Sequence, residues 1–483
     1  MTVQGRLLVI DVGTSSLRAA VVDRDSHVGH VHSRPLLPDS PAPGLVEFDG
    51  QVMAAAVLEL AGAALAEGGP VDAVGITNQR ASTLVWDRAT GEPVAPGLGW
   101  QDLRTIGTCL VLAAEGIRLA PNLSATKAQD ILDRVDPDRT RDLCVGTVDS
   151  WVAWTLSEGA LHVTDQTNAA LTGLRTVDVD DWSDDLLDRL RIPRSSLPTV
   201  VDSTGVVGAA TALDGAPPIA GIAGDQQASL IGQGCFAAGQ AKATFGTGGM
   251  LDVCVDRRPD FPARGPAGGF PIVTWGRAGE VRWGVEAAML SAGTNVEWLR
   301  DDIGLIADAA ESHEIASRCT DTEGVWYVPA LLGLGAPKWD YGARGTLLGI
   351  SRGSGRPQIV RAVLEGVAHR GADLLESAEA DGECTIEGLR IDGGMSDNPT
   401  FVQALADAAQ RPIEVSPERE ATTLGAAHLA GLAVGVWEGT DELAALWAPR
   451  EVVEPGAPLD RERWAEAIRR AERWHPDLSS LDF

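Results

Sequence analysis

One arrangement occurs twice in this chain and limits what it can fold into. "RLLVIDVGTSSLRAAVVD", from Arg6 to Asp23, carries an apolar run into a turn holding Gly13 and Thr14, then a second apolar run. "QAKATFGTGGMLDVCVD", from Gln240 to Asp256, repeats that layout around Gly246 and Thr247. Apolar runs joined by a short glycine turn read as paired strands, and their recurrence near the start of each half reads as a weak internal repeat. With 483 residues the chain also exceeds what one ordinary core organises. The expected division is a first domain over 1–227 and a second over 228–483.

The rest of the pattern predicts an α/β fold with mixed sheets. "VDAVGIT" and "STLVWD" read as strands, and "QVMAAAVLELAGAALAEGG" as a helix closed by a glycine pair. "DSTGVVGAATALDGAPPIAG", between Val201 and Ile222, has the small-residue, Pro/Gly composition of an interdomain stretch. In the second half, "GRPQIVRAVLEGVAHRGADLLESAEA" is helical, "LRIDGG" runs from a strand into a turn, and "DRERWAEAIRRAERW" is an amphipathic helix expected on the outside.

Charge narrows the partners. Acidic residues outnumber basic ones 68 to 39, for a net charge of -29. Such a surface repels nucleic acid and anionic membrane, so a small-molecule ligand is expected, and a polyanion would need backbone amides or a metal ion to be held. The six cysteines form no CxxC pair, which points to a reducing cytoplasm rather than a disulfide framework. "ATTLGAAHLAGLAVGVW", Ala421 to Trp437, is the most membrane-like segment, but His428 and its small residues favour a closely packed buried helix.

Several residue types converge on phosphate chemistry. Gly13, Thr14 and Ser15 follow a strand ending near Asp11; glycine lets backbone approach phosphate oxygens, and a carboxylate at a strand end suits Mg²⁺ held partly through water. The same donors recur at Gly246 and Thr247. "GIAGDQQASL" places Asp225 and Gln226 after a glycine turn, where Asp225 is either a helix cap or a base able to take the proton of an alcohol. "DGGMSDN" suits backbone lying against a nucleoside, or a plain turn. "WQDLR" offers Trp100, Asp102 and Arg104, the charged pair also being readable as a surface ion pair.

"IDVGTSSLRAAVVD", "GITNQR", "GTVDSWVAW", "VTDQTNAALT", "GIAGDQQASLIGQG", "FGTGG", "GLGAPKWD" and "IDGGMSDNPTFVQALAD" follow in order across nearly the whole chain. Together they resemble the FGGY family of carbohydrate kinases, and within it most the branch acting on glycerol. The resemblance implies a two-domain fold of the actin, Hsp70 and hexokinase type, with ribonuclease-H-like cores and ATP in the cleft between them. It implies an ATP- and Mg²⁺-dependent kinase of a small polyol or sugar. It places Thr14, Ser15, Ser16 and Arg18 in a first phosphate loop and Gly246 with Thr247 in a second. Gly333 falls near the nucleotide, and Gly394 with Asn398 at the adenosine. Asp225 matches the catalytic base, Asp11 and Asp225 stand closest to the metal, and Gln226, Arg80 and Trp100 match substrate-contacting residues.

Three positions depart from that pattern. The glutamate that follows the arginine in the glycerol-specific branch is Ala81 here, the tyrosine before "TK" is Asn122, and a pocket phenylalanine is Leu290. Losing a carboxylate and two rings widens the pocket, and a site built to hydrogen-bond particular hydroxyls discriminates by roughly 10⁴-fold or more against ligands that leave its groups unpaired. The expectation is a kinase for an acceptor larger than glycerol, with Asp102 offered as a replacement carboxylate. Glycerol itself and a regulatory ATP-binding protein with weak catalysis are the alternatives, and assembly into homo-oligomers is compatible with the sequence.

Overall fold

In the computed structural model, which describes residues 4–418 and 420–482, the repeat becomes two sheets of matching plan. Among the described residues the first sheet runs, edge to edge, Thr204–Ala209, Pro218–Gly224, Ala73–Asn78, Arg6–Val12, Ser16–Asp23, Val28–Pro35. The second runs Phe270–Arg277, Glu280–Met289, Gly249–Val255, Ala241–Phe245, Leu389–Asp392, Ile413–Val415, Glu451–Val453. In each, the strand before the glycine turn pairs antiparallel with the strand after it, which pairs antiparallel with a third. On its other side the first strand pairs parallel with a later strand, and that one parallel with the next. Two α/β units of one topology face each other, which is the actin-like two-domain plan.

Burial follows from the composition of the strands. Leu8, Ile10, Val12, Val74 and Ile76 fill one core with Met53, Val57 and Ala61 of the helix Gly50–Gly68. Asp49 caps that helix by accepting from the Gln51 and Val52 amides. The helix is long and apolar enough to cross a membrane by length and composition. Its buried residues nevertheless recur every three or four positions and face the first sheet, as in an ordinary core helix.

The reading of 202–221 as an interdomain stretch is overturned. It contains Thr204–Ala209 and most of Pro218–Gly224, two strands of the first sheet. The small residues that resemble a linker serve close packing. A Cβ added at Gly221 would lie 2.5 Å from the Ala430 nitrogen, and one at Gly75 2.5 Å from the Ala426 oxygen. The helix Ala421–Val434 lies on the first sheet at this distance and is buried along most of its length, as its all-round apolar sequence requires. It also crosses the helix Asp225–Gly232 almost backbone to backbone: a Cβ at Gly425 would fall 1.7 Å from the Ala228 oxygen, and one at Gly232 1.9 Å from the Ala421 oxygen.

The helix Arg461–Ala471 packs Trp464, Ala467 and Ile468 against Val328, Ala330 and Leu334, with Trp464 stacked on His369 at 4.7 Å.

Candidate active site

Parallel strands that end in register bring their following residues to one edge, where α/β folds bind ligands. Val12 is paired with Asn78, and Asn78 with Gly224. Asp11, Arg80 and Asp225 therefore leave the first sheet side by side, and Asp225 opens the helix that runs on to Gly232. In the second sheet Thr244 is paired with Asp392, which brings Gly246–Thr247 and Gly393–Gly394 to the corresponding edge. The two edges meet: Ser229 Oγ and Gln233 Nε2 donate to Asp392 Oδ2 at 2.9 and 3.1 Å.

At this meeting point lies a buried ionic cluster. Arg80 Nε is 3.4 Å from Asp225 Oδ1, and Arg80 Nη1 is 2.7 Å from Glu286 Oε2. Glu286 sits directly opposite Asp252 in the antiparallel register. Two facing carboxylates repel, and cations on both sides offset this. Arg80 holds Glu286, and Lys242 Nζ lies 2.7 Å from Asp252 Oδ2 with neither side chain exposed. Lys242 also donates to Thr244 Oγ1 at 3.2 Å and to Gln226 Oε1.

Burial sets the proton affinities. It pushes the Asp225 carboxyl up, with Arg80 beside it pulling the other way. The same desolvation raises Glu286, against the pull of Arg80. Asp11 is raised to about 7, chiefly by burial; Arg18 opposes the shift while Asp225 and Glu420 add to it. Arg80 stays charged, because Glu286 and Asp225 outweigh the burial that would otherwise lower it. A raised carboxylate beside a fixed guanidinium suits a general base.

Around the cluster, hydrogen bonds tie the first glycine turn to the pocket wall. Trp100 Nε1 donates to Thr14 Oγ1 at 3.1 Å, and Gln79 Nε2 donates to the Gly13 carbonyl at 3.2 Å. Ser82 Oγ donates to Gln79 Oε1 at 2.9 Å and accepts from the Trp100 amide at 3.0 Å. Ala81, between these partners, takes φ +60°, a left-handed conformation that costs a residue with a Cβ ~1–2 kcal/mol. Its carbonyl is held there by Thr83 Oγ1 and Ser124 Oγ, both at 3.1 Å. Leu290 is half-buried beside the second turn and Asn122 is exposed.

Asp102 does not supply the missing carboxylate, because both of its oxygens are occupied. Oδ2 accepts from the Val46 amide at 2.6 Å and Arg104 Nη2 at 2.8 Å; Oδ1 accepts from the Arg104 amide at 2.9 Å and Arg104 Nε at 2.8 Å. The pair is fully buried on the aspartate side, not a surface ion pair. The carboxylate that faces Arg80 is Glu286, contributed by the other sheet.

The residues placed at the nucleotide divide by structural commitment. Gly246 and Gly394 are open, with nothing within 4 Å of an added Cβ, and Ser15 and Thr247 are exposed. Arg18, near Ser16 at the start of its strand, pairs with Asp11 at 3.4 Å and with Glu420. Asn398 caps the helix Pro399–Ala409 by accepting from the Phe401 amide at 3.1 Å, and donates to Ser312 Oγ at 2.8 Å. Gly333 lies in a buried turn at φ +94°, where a Cβ would sit 2.8 Å from the Asp340 oxygen.

Sequence reasoning passed over Glu286, Asp252, Lys242 and Lys127. Lys127 is wholly buried, and its Nζ donates to the Pro121, Leu123 and Trp100 carbonyls at 2.8, 3.1 and 3.5 Å, gathering two pocket loops. Burial lowers its pKa to about 7. For Lys242 and Glu286 the available signal was a charge flanked by apolar strand residues, as in "AKATF" and "GVEAAM", which a core tolerates only when the charge is paired.

Comparison with known proteins agrees with the geometry. The family model for the N-terminal domain of the FGGY family of carbohydrate kinases matches residues 6–232, and that for the C-terminal domain matches residues 241–434. A glycerol kinase of Aromatoleum aromaticum is 42% identical, over 97% of this chain and 99% of that protein. Glycerol kinase 2 of Thermotoga maritima is 41% identical over 97% and 99%. Among solved structures, Plasmodium falciparum glycerol kinase with ADP superposes with a TM-score of 0.88 at 27% identity, covering 99% of both chains. Xylulose kinase from Rhodospirillum rubrum, at 23% identity and a TM-score of 0.83 over 96% and 97%, shares the fold.

Proposed function

The chain belongs to the FGGY family of carbohydrate kinases, and we propose that it moves the γ-phosphate of ATP to a hydroxyl of a polyol or sugar larger than glycerol. The observation that carries this reading is the convergence of Asp225, Arg80 and Glu286 between the two glycine turns. Asp225 takes the proton of the acceptor hydroxyl as its oxygen attacks phosphorus, and Arg80 orients that hydroxyl. Backbone and hydroxyl donors of Thr14, Ser15 and Ser16, with Gly246 and Thr247, hold the phosphates from opposite sides. Arg18 steadies Asp11. Gly394 and Asn398 border the adenosine, and Gly333 supports that side from its buried turn. The halves 1–227 and 228–483 close over the reactants and exclude water.

Asp11 and Asp225 suit Mg²⁺, an ion bound through one or two carboxylates plus phosphate oxygens and water. Burial raises Asp11 to about 7, Asp225 and Glu420 add to the shift, and a bound cation would stabilise the carboxylate against both effects. When bound, the ion neutralises charge on the transferring phosphate.

Trp100, Ala81, Asn122 and Leu290 line an acceptor pocket with one carboxylate and two rings fewer than a glycerol-specific site. Glycerol is the second reading, favoured by glycerol kinases about 40% identical along nearly the whole chain. Six unpaired cysteines support a reducing, cytoplasmic setting.

ADP release measured across glycerol, tetritols, pentitols and ketoses tests the proposal. Stimulation greatest with a four- or five-carbon acceptor is expected. Glycerol as the best acceptor would establish the second reading, and no stimulation by any member would refute kinase activity toward these compounds.

A further inference from the structure

Lys242 is wholly buried; its ammonium is ion-paired with Asp252 Oδ2 and donates hydrogen bonds to Thr244 Oγ1 and Gln226 Oε1. An ammonium can only donate, so the side of the Gln226 amide that meets it must be the carbonyl oxygen. The NH₂ then points the other way, and Nε2 has no hydrogen-bond partner among the described residues. Gln226 follows Asp225 directly and is half-buried.

Two features make that orientation consequential. Asp252, which fixes Lys242, is locked in the buried strand pair opposite Glu286, so the ammonium cannot swing away without breaking an unexposed ion pair. On the other side, Ala81 contributes no acceptor. Beyond Asp225, which serves the reacting hydroxyl, and the exposed Asn122, the polar groups nearest the reacting centre are Arg80, whose guanidinium already holds Glu286, and the Gln226 NH₂, both donors.

We infer that Lys242 is a positioning residue for acceptor choice: it holds the Gln226 amide with its NH₂ toward the substrate, so that the pocket prefers a carbonyl oxygen beside the phosphorylated hydroxyl over a second hydroxyl. The inference rests on the reading of this cleft as the acceptor pocket. A carbonyl accepts from Arg80 and Gln226 and carries no proton. A hydroxyl between Arg80 and Gln226 brings an O–H that neither of these donors can receive, which costs ~5- to 150-fold in selection when buried.

The experiment measures kcat and KM for three matched pairs, dihydroxyacetone with glycerol, erythrulose with erythritol, and xylulose with xylitol. The native chain, Lys242→Met and Gln226→Glu are compared. For whichever pair turns over best, the native chain is expected to favour the ketone by at least about 5-fold in kcat/KM. Lys242→Met frees the amide to flip and brings the ratio toward one, mainly through KM. Gln226→Glu replaces the donor by an acceptor and reverses the preference. If Lys242→Met does not fold, Gln226→Glu, at a half-exposed position, decides alone.

A native preference for the polyol, equal use of both members, or folded variants that keep the native ratio overturns the inference while leaving the kinase reading intact. No turnover of any pair by the folded native chain refutes the kinase reading itself, and this inference with it.

Discussion

Asp11 offers a quantitative test of how the first phosphate turn is held. Its side chain is 12% exposed and its carboxyl is raised from 3.8 to about 7, burial being the main cause. The sign follows from proton counting. Below about pH 4 both folded and unfolded chains hold the proton, and the residue costs nothing. Between about pH 4 and 7 the unfolded chain releases a proton that the native state keeps, so native stability falls as pH rises. Above 7 the penalty is constant. The difference, 7 − 3.8 = 3.2 pH units, corresponds to ~4 kcal/mol at 1.36 kcal/mol per unit. That is an upper bound, since the carboxylate can relax toward solvent.

Asp11→Asn removes the ionisation and keeps the shape, at the cost of the 3.4 Å pair with Arg18, worth ~0.5 kcal/mol. Taking half the bound and subtracting that pair, the variant should be about 1.5 kcal/mol more stable than the native chain near pH 8, a rise in melting temperature of roughly 3–6 °C for one domain. The gain should shrink to about 1 kcal/mol or less near pH 5.5, where fewer native carboxylates are ionised. Thermal unfolding of ligand-free protein at the two pH values checks this. A variant less stable near pH 8, or a gain independent of pH, would refute the reasoning about this carboxylate. Kinase activity should fall sharply in the same variant, since stability is recovered by discarding a functional charge.

Asp225→Asn should lower kcat by ~10²–10⁴-fold while nucleotide affinity, followed by titration with a fluorescent ADP analogue, changes less than about threefold. Because burial raises Asp225, kcat of the native chain should decline on the acid side at a pH above the ordinary aspartate range, and a pH profile flat to pH 4 would speak against its role as base. Ala81→Glu should raise kcat/KM for glycerol by ~10-fold or more by returning a hydroxyl acceptor, as read in coupled ADP assays. Gly425→Val should abolish soluble, folded protein, judged by circular dichroism, because its Cβ would lie 1.7 Å from the Ala228 oxygen.

The sequence showed most clearly what repeats or forms a local pattern. The paired glycine turns stood out because strand, turn and strand are contiguous, and Asp11, Arg80 and Asp225 could be recognised because each ends a short apolar run. Residues 202–221 were misread because the glycine and alanine content needed for close helix packing has the same composition as a linker. Glu286 and Lys242 stayed hidden for another reason. Each is a charge flanked by apolar strand residues, and its partner lies elsewhere in the chain: 206 positions from Glu286 to Arg80, and 16 from Lys242 to Gln226. Pairing across that distance is fixed by sheet register and by the meeting of two domains, neither of which is written locally. Asp102 failed as the replacement carboxylate because Arg104, two residues on, satisfies it first.

The crossing of Asp225–Gly232 with Ala421–Val434 has a mechanical consequence. Helices that touch at Gly425 and Gly232 with no side chain between them resist sliding, since any translation drives a Cβ into a carbonyl, yet they can still swivel about the touching point. Asp225 begins one of these rods, within a turn of helix of Ala228. Parts near an axle sweep the shortest arc, so a swing of one half against the other about this point would carry the glycine turns far and leave Asp225, the proposed base, almost still.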